Sequence, residues 1–213
     1  MRVIAVPVKP LERSKSRLAE WLTPLERGAL TLAMLEDVLD VAQAMAGWET
    51  WVISRDETVL EVAARRRART VVEARSGLAT AIQQIEGLAT AEGVQALAVL
   101  AADLPLLTPP ALAAALRTLG PVVIARSTRE GTSLLLRRPP RSIPARFGVD
   151  SFRRHLELAR AKGLPVSVID RRELAFDIDQ PGDILTLLAD GRRGRSREVC
   201  LGMDLGERLA AHA

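Results

Sequence analysis

Aspartates carry the clearest chemical signal in this sequence of 213 residues. Asp103 follows the apolar run Ala96-Leu97-Ala98-Val99-Leu100-Ala101 and precedes Leu104-Pro105. A carboxylate at the end of a buried strand suits a hard cation such as Mg²⁺, which prefers oxygen donors. The competing reading, a helix cap, is weaker because Thr108 already stands at the cap position before Pro109-Pro110. Further on, Phe176-Asp177-Ile178-Asp179-Gln180-Pro181-Gly182-Asp183 alternates acidic and apolar residues. On a short strand Asp177 and Asp179 face the same side, and burying both is costly unless a cation or protein donors balance them. Either one is a second metal ligand beside Asp103. Asp183 falls in the first turn of a helix and reads as dipole complementation.

Cationic and hydroxyl groups collect in Lys9-Pro10-Leu11-Glu12-Arg13-Ser14-Lys15-Ser16-Arg17-Leu18. Lysine occurs only at Lys9, Lys15 and Lys162, so two of the three lie in this loop. Lys9, Lys15 and Arg17 are expected to bind the phosphates of a nucleotide, and Lys15 and Arg17 to be catalytic by neutralising phosphate charge during transfer. A solvated loop ahead of a helix accounts equally well for the residue types. The loop lacks the glycines of a P-loop. A further group comprises Glu130-Gly131-Thr132-Ser133 and Phe147-Gly148-Val149-Asp150-Ser151-Phe152. The first is a turn with backbone and hydroxyl donors; the second opens a helix, where free N–H groups and the dipole favour an anion. His155, one turn further on, reads as a packed or surface histidine.

The elements that must position these groups alternate in type. Val3–Val8 reads as a buried strand closed by prolines. Thr23-Pro24-Leu25-Glu26 is a capping box, opening a helix that runs to Gly47. Strands are expected at 48–54, 70–73, 96–101, 122–125, 133–136, 166–169 and 176–178. Helices are expected at 58–66, 77–92, from Thr108 to near Gly120, at 151–162 capped by Asp150, and at 181–189. The pattern predicts right-handed βαβ crossovers and a mostly parallel sheet, mixed after residue 120. Ligands then bind at the carboxyl ends of the strands. Residues 1–190 are expected to form one domain, followed by a basic linker and a C-terminal tail at 191–213, either a separate short helix or loose.

The bulk composition narrows the class. Hydrophobic residues make up 48% and charged residues 26%, as in a globular protein. Aromatic content of 3% suits an aliphatic core of helices on a parallel sheet, not a base-stacking platform. The net charge of +4 is spread over the chain, so the expectation is small anionic substrates and no nucleic acid. A basic RNA-associated protein that uses the Arg-rich tail is the blander alternative. A single cysteine, Cys200, permits no internal disulfide. No apolar stretch spans a membrane and the start lacks a signal peptide, so a cytoplasmic location is expected.

Up to about residue 190 the chain resembles the CofC/FbiD family of guanylyltransferases in coenzyme F420 biosynthesis. The likeness rests on Pro7-Val8-Lys9-Pro10, Lys15-Ser16-Arg17-Leu18, Asp103-Leu104-Pro105, Pro139-Pro140, Phe147-Gly148-x-Asp150-Ser151-Phe152-Arg153-Arg154-His155 and Asp177-Ile178-Asp179-x-Pro181-x-Asp183. The aspartate motifs also occur in molybdopterin guanylyltransferases; the Lys-Ser-Arg-Leu and Phe-Gly-x-Asp-Ser-Phe segments are more particular. The resemblance implies a single-domain, Rossmann-like GT-A (MobA-like) fold. It implies transfer of GMP from GTP to phosphoenolpyruvate, 2-phospho-L-lactate or 3-phosphoglycerate, with Mg²⁺ as cofactor and a homodimer as an allowed assembly. It also implies acceptor binding by Thr132, Gly148 and Ser151 and metal binding by Asp103 and Asp177. The family's acidic-Gly-x-Gly-Thr-Asn turn is shortened here to Glu130-Gly131-Thr132-Ser133, so Ser133 is the alternative acceptor hydroxyl. The rival readings are a nucleotidyltransferase for a pterin-type acceptor and a non-catalytic nucleotide-binding regulator.

Overall fold

The computed structural model describes residues 1–211. Among them seven strands form one sheet in the order β3-β2-β1-β4-β6-β5-β7. The strands are β1 (Arg2–Pro7), β2 (Glu49–Ser54), β3 (Arg69–Val72), β4 (Ala96–Leu100), β5 (Val122–Arg126), β6 (Thr132–Arg137) and β7 (Val166–Ile169). Between and after them run α1 (Pro24–Gln43), α2 (Glu57–Arg65), α3 (Leu78–Ala91), α4 (Pro109–Arg117), α5 (Ser151–Ala161), α6 (Arg172–Ala175), α7 (Pro181–Asp190), α8 (Arg195–Gly202) and α9 (Leu205–Ala210). All neighbouring strands pair parallel except β6, which is antiparallel to both β4 and β5. As the sequence predicts, the sheet is mixed on the side built after residue 120.

Alternation along the strands divides the core. Ile4 and Val6 of β1 join Val38, Leu39, Val59 and Leu112 of α1, α2 and α4 on one face. Val3 and Ala5 join Ile82, Ile85 and Ala89 of α3 on the other. The capping box of α1 is present: the Thr23 side chain accepts the Glu26 N–H, and the Glu26 carboxylate accepts the Thr23 N–H at 2.8 Å. From β1 the chain crosses through α1 to β2 on one side; from β4 it crosses through α4 toward β5 on the other. The switch point of the sheet therefore lies between the carboxyl ends of β1 and β4, the position where open α/β sheets bind ligands. Because β6 runs backwards, its first residue, Thr132, lies at that same edge.

Two expectations about local structure need correction. Phe176–Ile178 is extended but is not a strand; it approaches the sheet edge through one long bond from Ile178 N–H to the Asp103 carbonyl, 3.4 Å. Its alternation survives, since Phe176 and Ile178 are buried in a core cluster with Leu18, Leu30 and Met34. Asp150 does not cap α5. Its backbone is left-handed (φ 52°) and its side chain makes no capping bond.

The expected linker and tail form α8 and α9, which are neither separate nor loose. Cys200, Leu205 and Leu209 are buried against Leu30, Met34, Ile184 and Leu187 of α1 and α7. Three of the basic residues there are paired: Arg195 with Asp40 at 2.6 Å, Arg192 with Asp190 at 3.1 Å and Arg208 with Glu26 at 2.5 Å. No described helix is long and apolar enough to cross a membrane.

Beneath α5 lies a buried polar cluster. Fully buried Arg137 donates to Glu86 at 2.5 Å and to the Ile143 carbonyl at 3.0 Å. His155, also fully buried, accepts the Arg146 backbone N–H at Nε2, 2.8 Å. Burial, then the charge of Arg137, pushes the His155 pKa down to about 4.

Two outcomes are expected. Leu205→Ala should lower the unfolding free energy by about 2–5 kcal/mol, the usual cost of emptying a buried leucine site; urea denaturation giving an unchanged midpoint would show that α9 is not part of the core. For His155, the unfolded ring titrates near 6.5 and the folded one near 4. The unfolded chain therefore binds the extra proton in this window, and stability falls as pH drops from about 6.5 to about 4, by a total of about 3 kcal/mol. Denaturation midpoints measured across that range should fall more steeply for the native sequence than for His155→Asn; parallel slopes would contradict it.

Candidate active site

The loop after β1 is a built structure and not a solvated connection. Two 3₁₀ turns, Leu11–Arg13 and Ser16–Leu18, flank Lys15. The Leu11 N–H donates to Asp56 at 2.9 Å, Thr31 donates to the Ser14 hydroxyl at 2.9 Å, and Arg27 reaches the Ser14 carbonyl at 3.3 Å. Lys15 itself is left-handed, with φ 48° and ψ 41°, a conformation that costs an L-residue about 1–2 kcal/mol. It turns the side chain inward, leaving it 7% exposed, with Nζ 2.5 Å from Asp103 Oδ2 and 3.7 Å from Asp179 Oδ1. The ammonium also donates to the Ile178 carbonyl. Arg17, outside it, meets Asp179 at 2.8 Å. Lys9 is exposed.

Asp103, Asp177 and Asp179 each bring one carboxylate oxygen within 4.8 Å of the others'. At an effective dielectric near 20, a pair of unit charges that close repels by about 3–4 kcal/mol. Burial, foremost, and the neighbouring charges of Asp103 and Asp179 raise the Asp177 pKa, against the lowering effect of Thr128 and Arg129. Asp177 accepts the Thr128 hydroxyl hydrogen and the Thr128 N–H, the latter at 3.3 Å. Arg129 stands 3.8 Å from Asp177 and forks onto both oxygens of Asp183, at 2.8 and 2.6 Å. Asp183 in turn accepts the N–H groups of Asp179 and Gln180 at 2.8 and 2.7 Å. It therefore ties the Asp179 backbone in place besides complementing its helix. Three carboxylates with converging oxygens form a donor set that fits a hard divalent cation.

A second group of side chains meets at the start of β6. Ser151 Oγ lies 3.1 Å from Thr132 Oγ1, and Thr132 Oγ1 lies 3.0 Å from His155 Nδ1. Ser133 turns away, donating to the Ala125 carbonyl at 3.3 Å; of the two candidate hydroxyls, Thr132 is the one beside Ser151. Gly148 has φ 114°, and nothing lies within 4 Å of where a Cβ would be, so backbone conformation and not space calls for glycine. The N–H groups of Ser151 and Phe152 are not free for an anion, because they donate to the Gly148 and Glu130 carbonyls at 3.1 and 3.2 Å. Hydroxyls, not these amides, are the polar groups on offer.

One turn joins the two groups. After β5, the Ser127 N–H donates to the Gly131 carbonyl at 3.1 Å, so Thr128 and Arg129 sit in a tight connection that ends at Thr132. Sequence reading missed Thr128 and Arg129, which had a usable signal, a hydroxyl and a guanidinium directly after a strand. His155, read as packed or surface, is buried; its contacts to Thr132 and to the Arg146 backbone had no signal, since those partners lie 23 and 9 residues away.

Comparisons with known proteins agree with this architecture. The family model described as guanylyl transferase CofC like matches residues 1–206. The phosphoenolpyruvate guanylyltransferase of Rubrobacter xylanophilus is 40% identical, over 90% of this chain and 96% of its own. The 3-phospho-D-glycerate guanylyltransferase of Phenylobacterium zucineum is 37% identical, over 87% and 89%. The 2-phospho-L-lactate guanylyltransferase of Methanocaldococcus vulcanius is 30% identical, over 92% and 88%. A solved structure from Desulfovibrio desulfuricans G20, described provisionally as a nucleotide-diphospho-sugar transferase, superimposes with a TM-score of 0.83 at 17% identity, covering 99% of this chain and 98% of that one. A family match over nearly the whole length, and relatives this similar, establish that the chain belongs to the CofC-like guanylyl transferases.

Proposed function

We propose that the protein transfers GMP from GTP to a phosphorylated three-carbon acid, phosphoenolpyruvate foremost, with release of pyrophosphate, as a step of coenzyme F420 biosynthesis. The supporting observation is the convergence of Asp103, Asp177 and Asp179 with Lys15 at the switch point of the sheet, one short turn from the Thr132–Ser151 pair. Phosphoenolpyruvate comes first because the relative reported at 40% identity is named for it.

In this reading the triphosphate lies over the loop after β1, with Lys15 and Arg17 neutralising its charge and Lys9 at the exposed rim. Asp103 and Asp177 would hold Mg²⁺, which supplies charge neutralisation and orientation for phosphoryl chemistry. Thr132, Gly148 and Ser151 hold the acceptor. An oxygen of the acceptor's phosphate attacks the α-phosphorus in line; the new P–O bond forms as the bond to the β-phosphate oxygen breaks and pyrophosphate leaves. A phosphate monoester, with a second pKa near 6, is already ionised at neutral pH, so no general base is required. Alignment and charge neutralisation carry the reaction. Arg129 holds Asp177 and Asp183 in register and, lying in the turn that leads to Thr132, couples the metal site to the acceptor site.

Pyrophosphate release measured with GTP, Mg²⁺ and each of the three phospho-acids should be substantial for at least one; nucleotide binding with no release for any acceptor would instead mark a non-catalytic regulator. Asp103→Asn and Asp177→Asn should each lower turnover by about 10²-fold or more. Folded variants with native turnover would remove the metal assignment. Thr132→Val should raise the acceptor KM by about tenfold, as loss of a hydrogen bond to a charged group does, and leave the GTP KM unchanged. A shift in the GTP KM alone would move Thr132 out of the acceptor site.

A further inference from the structure

His155 is buried and lies outside the carboxylate cluster, and the phosphate chemistry makes no use of it as an acid or base. Its surroundings define its protonation. Nε2 faces the Arg146 backbone N–H at 2.8 Å. A backbone amide only donates, so Nε2 must present its lone pair. A neutral imidazole has one N–H, which is then on Nδ1. Nδ1 is 3.0 Å from Thr132 Oγ1, and the bond must run from the ring to the hydroxyl. The imidazolium form is disfavoured by the same contact, because both its nitrogens donate. The ring is braced by Phe147, whose centroid lies 5.2 Å away in an edge-on arrangement.

This direction decides what the hydroxyl pair can offer. Thr132 and Ser151 have two hydroxyl hydrogens, and their mutual bond of 3.1 Å uses one. With the ring donating to Thr132, the other hydrogen is left over for a ligand. With the opposite tautomer, Thr132 would donate to Nδ1 and Ser151 to Thr132. Both hydrogens would be spent, and the pair would turn only lone pairs outward. Both residues are buried, with Thr132 8% and Ser151 1% exposed, so a donor there acts in a weakly screened setting.

We propose that His155 is a positioning residue for the acceptor: as the Nδ1–H tautomer it donates to Thr132, so that the Thr132–Ser151 pair presents a hydroxyl hydrogen to an anionic oxygen of the phospho-acid. The inference rests on the proposed function, in that it takes the acceptor to bind at this pair. His155 touches neither substrate. It sets the direction of a hydrogen bond one residue away.

The test combines a spectrum with kinetics. The sequence has only 2 histidines, so ¹⁵N-histidine labelling of the intact protein, compared with His155→Asn, assigns the His155 ring nitrogens. At neutral pH the spectrum should show a protonated Nδ1 and a bare Nε2; the reverse overturns the proposal whatever the enzyme does. In steady-state assays, His155→Leu should raise the acceptor KM by about tenfold with the GTP KM unchanged, the effect of losing a donor to a charged group. His155→Asn, whose amide nitrogen can take the place of Nδ1, should recover most of that loss; equal KM effects in the two variants would reduce His155 to core packing and overturn the proposal. Native acceptor KM in a folded His155→Leu, alongside a raised one in Thr132→Val, overturns the role of His155 and leaves the acceptor site standing. An inactive native protein, or an unaffected Thr132→Val, instead brings down the acceptor reading, and the positioning role with it.

Discussion

Mutual repulsion of three carboxylates at one end of the sheet is the constraint around which this protein is organised. Asp103, Asp177 and Asp179 come from two segments more than seventy residues apart, yet their oxygens lie within 4.8 Å. Nothing apolar can hold such a group together. The chain spends several uncommon features on it: a left-handed lysine bent inward, an arginine forked onto Asp183, and a hydroxyl from the β5–β6 turn on Asp177. Backbone strain and polar networks of this kind persist where the surrounding structure over-determines them, and they concentrate at functional sites.

The reversed strand β6 is the topological counterpart. In an all-parallel sheet its first residue would lie at the opposite edge from the carboxyl ends of β1 and β4. Running antiparallel, β6 needs only a short turn from β5, and that turn contributes Thr128 and Arg129 on its way to Thr132. One short stretch of chain thus contacts the acidic cluster at one end and begins the hydroxyl–imidazole group at the other. A change in the turn is transmitted to both, which is a physical reason for it to be tight and polar.

What could be read in advance follows from how local each signal is. The capping box at Thr23, the alternation of β1, the apolar run of β4 and the proline starts of α4 and α7 are short-range patterns, and they recur in the structure. Asp103, placed by a strand end, and Asp177 with Asp179, placed by alternation, come together as that logic requires, although the strand expected around them never pairs with a neighbour. The hydroxyl–imidazole group was legible only in part: Thr132 and Ser151 came from resemblance, but the His155 contact that orients them crosses 23 residues and leaves no periodic trace. The packing of α8 and α9 was hidden for a different reason. Their sequence is rich in arginine and looks solvated; its docking rests on a few apolar residues, Cys200, Leu205 and Leu209, and on the acids Asp37, Asp40 and Glu26 of α1, far earlier in the chain.

That docking also bears on the basic character of the chain, with its net charge of +4. Ion pairs of Arg195 and Arg208 with α1 and of Arg192 with α7 place part of the positive charge of the C-terminal region within the fold. At the sheet edge the balance runs the other way. Among the side chains in mutual contact there, Asp103, Asp177, Asp179 and Asp183 outnumber Lys15, Arg17 and Arg129 by one. A site left with a negative excess cannot by itself attract a triphosphate and a second phosphorylated acid, since each adds to the repulsion it already contains. In the proposed reaction a divalent cation held by the converging carboxylate oxygens would offset that excess.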